Sequence, residues 1–280
     1  MPVISDAHIA TYRRQGFAVV PGFLPREEVE RVREGYHALF APTFADYAAG
    51  RRPDREQALF PWDHSAMNRL TLHPEIISAA ERIIGTPAVR LSDCDINVRY
   101  AGEGHQEHVH VDHGNNTLGP VRAEDHGNIT FVTLLSDVLP GMSPTRLFPW
   151  GRPDSEAVDM VLPAGSLFLY STHTTRHTVT PFTAPTGMRA AMWIMYCRQD
   201  QPWDCARPFT YKWCGGHKDA AIRRVIAEAT PRQLEMLGFP APGAALWTEA
   251  FIRGMADRYP GFDTTPYRAA LERRGLVAAT

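Results

Sequence analysis

The sequence is poor in several things that would give it away quickly. It has only four cysteines, Cys94, Cys197, Cys205 and Cys214, and no Cys-x-x-Cys pair. A disulfide framework and a cysteine-built zinc module are therefore excluded, and reduced thiols in a cytoplasm are expected. There is no surplus of basic charge: 29 Lys+Arg stand against 31 Asp+Glu, a net charge of −2. Neither nucleic acid nor an anionic membrane surface is implied as a partner. No apolar run reaches the ~18 residues that cross a bilayer. The opening MPVISDAHIATYRRQG has no apolar stretch after a basic start, so it does not read as a secretory signal. Repeats and low-complexity tracts are missing too. Histidine is what the chain has in quantity: 12 residues, several of them clustered.

At 280 residues, with 44% hydrophobic and 21% charged side chains, the chain can bury a large core as one soluble domain. Asp6 can cap a short helix through Ile9 and Tyr12 that Gly16 stops. Phe17–Val20 is β-prone and closed by Pro21-Gly22. Pro25 followed by acids opens a second helix, with Val29, Val32, Tyr36 and Leu39 as its apolar stripe. Residues 41–66 are irregular, and a third helix is predicted over about 74–84 with Gly85 as its stop. The period then changes to two. From Asp93 onward, Asp93, Asp95, Asn97 and Arg99 fall on one face of a strand, and Cys94, Ile96, Val98 and Tyr100 on the other. Residues 129–135, 166–170 and 189–196 also read as strands, separated by Gly, Pro and Asn. Helices return at 220–229, 231–237 and 248–258. The expectation is a single domain, 1–280. Its parts are N-terminal helices and a lid segment (1–88), a β core (89–200) and a C-terminal helical appendix (201–280), so mainly β with flanking helices.

The chemistry concentrates in Gly104-His-Gln-Glu-His-Val-His-Val-Asp-His-Gly114. In an extended segment residues i and i+2 point the same way, so His110 and Asp112 can grip one metal ion from one side. A third ligand must come from elsewhere, best from the segment 165–177, which carries His173 and His177. Two histidines and a carboxylate on one face leave the remaining metal positions open, as in non-haem Fe(II) oxygenases. His108 and His110 could instead form a zinc-like pair. Twelve residues past His177, Arg189 opens a strand, and its fork suits the distal carboxylate of a dicarboxylic acid.

The ordered set of His-x-Asp, a Gly-x-Leu-x-x-Tyr strand leading to His, and Arg about twelve residues on resembles the Fe(II)/2-oxoglutarate-dependent oxygenases. The opening Tyr-x-x-x-Gly-Phe-Ala-Val-Val-Pro-Gly-Phe-Leu before an acidic helix resembles the phytanoyl-CoA dioxygenase family among them. The likeness covers roughly residues 8–200. It implies a double-stranded β-helix, a cupin-like jelly-roll. It also implies Fe(II), 2-oxoglutarate and O2 as cofactor and cosubstrates, with His110, Asp112 and His177 as iron ligands. The spacing to Arg189 favours His177 over His173. Arg189 is expected on the 2-oxoglutarate C5 carboxylate, with Thr133 and Thr178 near it. The implied reaction oxidises an unactivated C–H bond and releases succinate and CO2. Asp112 favours hydroxylation, desaturation or ring closure over halogenation, because halogenating relatives lack that carboxylate. One departure is Leu139-Pro-Gly-Met-Ser-Pro-Thr-Arg146, where the family often has Asn-Gly and Pro-Gly-Ser-His; it bears on the lid and not on the metal.

Other residues have two readings. His105, His108 and His113 read as loop residues or as neighbours that orient a ligand. Asn97, Arg99 and Trp193 are candidate substrate contacts if their faces line the barrel, and solvated or core residues otherwise. Trp62 and His64 sit in the long irregular segment, where lids are common. Phe148-Pro-Trp150 is a candidate for closing the other side. Trp203, Trp213 and Trp247 read as staples of the C-terminal helices. A small or medium-sized organic substrate is expected; no run of Lys and Arg marks a CoA phosphate site. The protein is expected to be a monomer or homodimer. Two other classes compete: a cupin-like isomerase or hydrolase that ignores 2-oxoglutarate, and a non-catalytic binding protein on the same barrel.

Overall fold

Short strands broken by Gly and Pro become two antiparallel sheets in the computed structural model of the chain, which describes residues 3–60, 62–104, 106–112, 127–198, 223, 226–231, 234 and 239–275. The chain forms two compact units, Met1–Val111 with His126–Arg198, and Asp112–Asp125 with Gln199–Thr280.

In the first unit, α1 (Asp6–Gln15) is capped by Ser5 rather than by Asp6, because the Ser5 hydroxyl accepts from the His8 amide. It ends at Gly16, whose φ is +86°. Strand β1 (Phe17–Val20) leads to α2 (Arg26–Leu39), which starts after Pro25 as expected. The stretch read as irregular, 41–66, holds a short α3 (Phe44–Ala48) and a 3-10 turn (Arg55–Ala58), and α4 (Ser65–Thr71) begins at its end. Helix α5 (Pro74–Ile84) is closed by Gly85 at φ +82°. Then come β2 (Val89–Tyr100), β3 (Asn128–Leu134), β4 (Thr145–Leu147), β5 (Val158–Asp159), β6 (Leu167–Ser171), β7 (His177–Val179) and β8 (Met188–Arg198).

The larger sheet has the order β1-β6-β3-β8-β2, and the smaller one β5-β4-β7. Register decides which side chains share a face. Ile129 and Phe131 of β3, Leu167 and Leu169 of β6, and Ala190, Met192 and Ile194 of β8 all join one buried cluster. With them pack Ile9 and Tyr12 of α1, Val29, Val32 and Tyr36 of α2, Met67 and Leu70 of α4, and Ile76 and Ile83 of α5. This is the outer face of the large sheet, under the helices. The inner face carries the alternate residues. Val132, Leu134, Phe168, Tyr170 and Ala191 pack there with Leu147 of the smaller sheet and Met160. Two antiparallel sheets closing on one another in this way are the double-stranded β-helix implied by the sequence motifs.

In the second unit, α6 (Glu249–Arg258) is capped by Thr248, and α7 (Thr265–Arg273) follows it. Trp247 is fully buried, stacks on Tyr267 at 3.9 Å, and donates its indole N–H to the Pro240 carbonyl at 2.8 Å. It holds the C-terminal helices as expected. Arg268 and Glu249 join α7 to α6 at 3.0 Å. The expected helices 220–229 and 231–237, and Trp203, Trp213, Cys205 and Cys214, lie wholly or largely outside the described residues. Among the described residues no helix is long and apolar enough to cross a membrane.

Candidate metal centre

His110 meets His177 through backbone. Each donates its N–H to the other's carbonyl, at 2.9 and 2.8 Å, in an isolated antiparallel bridge on the free side of β7. Directly opposed residues in such a pair project their side chains to the same side, and the two imidazole centroids are 4.5 Å apart. Asp112, two residues on, returns to that side. One ligand atom from each of His110, Asp112 and His177 lies within 4.8 Å of the others. This is the one His/Cys/Asp/Glu set of that kind among the described residues. His108 is exposed and stacks on His110 at 5.6 Å, and His173 is buried; neither belongs to the set. His105 and His113 lie outside the described residues.

The two imidazoles are oriented in the same way. His110 Nδ1 lies 2.9 Å from the His108 carbonyl, and His177 Nδ1 lies 3.1 Å from the Thr175 carbonyl. A carbonyl only accepts, so both Nδ1 atoms carry the proton. Nε2 is then the basic nitrogen a metal ion takes. The His177 side is locked further. Thr175 donates its hydroxyl to the Gly16 carbonyl at 2.7 Å and its amide to Ser171. A Cβ on Gly16 would sit 2.5 Å from the Trp150 ring and 2.8 Å from Thr175 Oγ1, so the position demands glycine for space as well as for its positive φ. The Gly-Phe step of the N-terminal motif is thus built into the loop that delivers His177. Trp150 packs there, its amide bonded to Gln15, so Phe148-Pro-Trp150 braces α1 rather than closing the cavity. The Tyr170 ring lies tilted against the His177 ring, their centroids 4.7 Å apart.

Arg189 is the most unusual residue nearby. It is fully buried on the inner face, and among the described residues its one hydrogen bond runs from Nη2 to Thr145 Oγ1 at 2.7 Å. Its Nε and Nη1 are buried with no partner. Its guanidinium lies over the Trp193 ring at 4.9 Å, and Arg99 stands directly across from it in the β2–β8 register. Burial first, and then the Arg99 charge, pull its pKa down from 12.5 to about 9. Burial also lowers Arg99. Two guanidiniums side by side, one with unsatisfied donors aimed inward, fit a carboxylate. A two-histidine, one-carboxylate set fits iron.

The polar face of β2 points inward. Asp93, Asp95, Asn97 and Arg99 lie across from Met195, Trp193, Ala191 and Arg189, so Asn97, Arg99 and Trp193 share the wall with Arg189. Four other expectations are corrected. Thr133 pairs with Met192 and Leu167, both on the outer face; the two-residue repeat turns it away from Arg189. Thr178 pairs with Arg146, while His177 and Val179 take the inward positions, and its hydroxyl is turned back to the Val179 carbonyl. Trp62 lies in the outer core cluster, with its indole N–H on the Gln57 carbonyl. His64 precedes α4 and packs its ring against Gly35 of α2. Two residues went unnoticed in the sequence. Thr145 lies on a three-residue strand too short to show a period. Leu59, 49% exposed, bridges to Asp95 and so joins the inner face of β2.

The observed class is a jelly-roll that carries a His-x-Asp…His set suited to a metal ion and a buried arginine on its inner wall. Residues 12–149 match the family model for phytanoyl-CoA dioxygenase (PhyH). The opening motif lies within that match, and the resemblance it suggested is borne out. The match stops short of His177 and Arg189, which rest on the geometry above. No curated protein matches the sequence significantly. Solved structures share the fold. One is the non-heme alpha ketoglutarate dependent carbocyclase SnoK from nogalamycin biosynthesis, at 20% identity and TM-score 0.55 over 79% of this chain and 90% of that one. Another is the non-heme monooxygenase ThoJ with nickel, at 22% and 0.52 over 68% and 77%. A third is HygX from Streptomyces hygroscopicus with nickel and 2-oxoglutarate bound, at 15% and 0.52 over 69% and 87%. At these identities the likeness is one of fold.

Proposed function

We propose that this protein is an Fe(II)/2-oxoglutarate-dependent oxygenase that oxidises an unactivated C–H bond of a small organic molecule. In the hydroxylating case R–H, 2-oxoglutarate and O2 give R–OH, succinate and CO2. The observation that carries this reading is the presence of two features in one jelly-roll: ligand atoms of His110, Asp112 and His177 within 4.8 Å, and a fully buried inner-face arginine with two donors unsatisfied among the described residues. The fold shared with a carbocyclase and a monooxygenase supports the class of chemistry.

His110, Asp112 and His177 would hold the iron, which when bound supplies one-electron oxidation and O2 activation. The residues of the chain do the rest. The His108 and Thr175 carbonyls keep both ligand imidazoles in the Nδ1–H tautomer. Arg189, braced by Thr145 and supported by Arg99, would grip the C5 carboxylate of 2-oxoglutarate. Asn97, Arg99, Trp193 and Leu59 line the wall where the substrate would lie. Asp112 would take a metal position that halogenation would need free.

The test is spectroscopic and chemical. Under anaerobic conditions Fe(II) plus 2-oxoglutarate should give a weak visible charge-transfer band. In air, a metabolite screen should find compounds that stimulate succinate formation. Metal-dependent turnover of a compound without succinate would favour the cupin-like isomerase or hydrolase instead.

A further inference from the structure

Inside the barrel, away from Arg189, sits a second buried polar group that the reading above does not use. Asn128 opens β3 on its inner face, opposite Cys197 of β8. It is 1% exposed. Its neighbours form a chain of hydroxyls: Thr130 and Thr172 share a hydrogen bond at 2.8 Å, and the Thr172 hydroxyl donates to Asn128 Oδ1 at 3.3 Å. Thr130 and Thr172 are both fully buried. With Oδ1 held in this way, the amide nitrogen is turned from Thr172, and Nδ2 is buried with no partner among the described residues. An unsatisfied buried donor is costly, and nearly all buried polar groups in folded proteins are paired. The apolar core tolerates this one beside Tyr170, which lies opposite Thr130 in the β3–β6 register and whose ring lies tilted against His177.

We infer that Asn128 is a specificity-determining residue whose Nδ2 donates to a carbonyl oxygen of the substrate. The adjoining inner-face residues Met195 and Tyr170, which flank Thr130, are apolar or aromatic, so the recognised class is a ketone on an apolar or aromatic frame. Thr172 and Thr130 are positioning residues: they hold the amide by its oxygen so that its donor, and not its acceptor, faces the ligand. A site built to donate to an oxygen rejects the analogue that lacks it, because the donor then stays unpaired. The inference rests on the oxygenase reading for its substrate, but not for its test.

The experiment uses the full chain loaded anaerobically with Fe(II) and 2-oxoglutarate. Acetophenone and ethylbenzene, matched except for the carbonyl, are the probes, and binding is followed by ligand-observed NMR. The ratio of acetophenone to ethylbenzene affinity should fall roughly tenfold in Asn128→Leu, and likewise in Asn128→Ala, so that one poorly folded variant does not decide the matter. The thermal midpoint of Asn128→Leu should equal or exceed that of the parent, since a purely structural amide would be missed on removal. An unchanged affinity ratio, or a parent protein that binds neither probe, overturns the inference. The charge-transfer band keeps the two ideas apart. A band present in the parent and in Asn128→Leu with an unchanged ratio sinks the recognition site alone. A missing band in the parent, with the ratio still shifted, sinks the oxygenase reading alone.

Discussion

The two faces of the five-stranded sheet are made by the same strands and follow opposite rules. The outer face of β3, β6 and β8 is Ile129, Phe131, Leu167, Leu169, Ala190, Met192 and Ile194, sealed under α1, α2, α4 and α5. Truncating such a residue costs packing, about 3–5 kcal/mol for Phe131→Ala, and nothing in the chemistry. The inner face of β2, β3 and β8 holds Arg99, Arg189, Asn97 and Asn128, each with a buried polar atom that lacks a partner. Stability would favour apolar groups at these places. The sheet keeps polar ones on the side that faces the metal ligands, which is the arrangement expected when a ligand completes them.

The comparison breaks most severely at the metal. His177→Ala or Asp112→Ala should weaken Fe(II) binding by more than about 100-fold, since losing even an outer partner of a ligand typically costs 10–100-fold. Succinate formation should drop to background, with the melting curve little changed. An Asp112→Ala protein that retained full 2-oxoglutarate turnover would remove the metal assignment. Next comes Arg189→Leu, which makes the inner face chemically like the outer one. Removing one partner of a buried charge pair costs about 2–5 kcal/mol of binding, so 2-oxoglutarate affinity should fall roughly 30- to 4000-fold. The unliganded variant should melt no lower than the parent, because a buried cation without a counter-ion has been deleted.

The pH dependence sharpens the same point. In the proposed site the cationic form of Arg189 would bind the carboxylate, and burial lowers its pKa to about 9. Below that value the guanidinium is charged and affinity should be flat. Above it the proton leaves, and 2-oxoglutarate affinity should fall about tenfold per pH unit. Titrations between pH 7 and 10.5 read this directly; a flat profile throughout would mean that the guanidinium keeps its proton over the whole range. A smaller effect is expected at the base of the His177 loop. Gly16→Ala combines a φ of +86° with a Cβ 2.5 Å from Trp150. It should cost about 1–3 kcal/mol of stability, and Fe(II) affinity should fall with it as Thr175 shifts, in an iron titration at constant 2-oxoglutarate.

Much of this was legible in the chain. The alternation from Asp93 to Tyr100 separated the two faces of β2 correctly, and the helix stops at Gly16 and Gly85 were visible because positive φ selects glycine. His110 and Asp112 could be paired by period alone. Facing direction was less legible where strands are short. Strands β4, β5 and β7 have three, two and three residues, too few to show a period, so Thr145 gave no signal and Thr178 looked plausible merely for standing beside His177. Helix α4, seven residues long, begins where the irregular segment ends and is too short to show a clear period. The Arg99–Arg189 pairing needed the cross-strand register, which no local pattern encodes.

The two threonines give the most delicate test, because they differ in little but the face they occupy. Both are fully exchanged from solvent into protein: Thr133 is 0% exposed and Thr145 1%. Thr145 Oγ1 accepts from Arg189, whereas Thr133 Oγ1 is buried without a partner under the helices. Valine replaces either with similar shape. Thr145→Val removes the brace on the guanidinium and should lower 2-oxoglutarate affinity about fivefold, the worth of one hydrogen bond near 1 kcal/mol. Thr133→Val removes an unsatisfied hydroxyl on the apolar face. It should leave 2-oxoglutarate binding unchanged and raise stability by about 1 kcal/mol, readable as a shift of a few degrees in the melting midpoint. If Thr133→Val weakened 2-oxoglutarate binding and Thr145→Val did not, the assignment of inner and outer faces would be inverted, and with it the wall on which Arg189 stands.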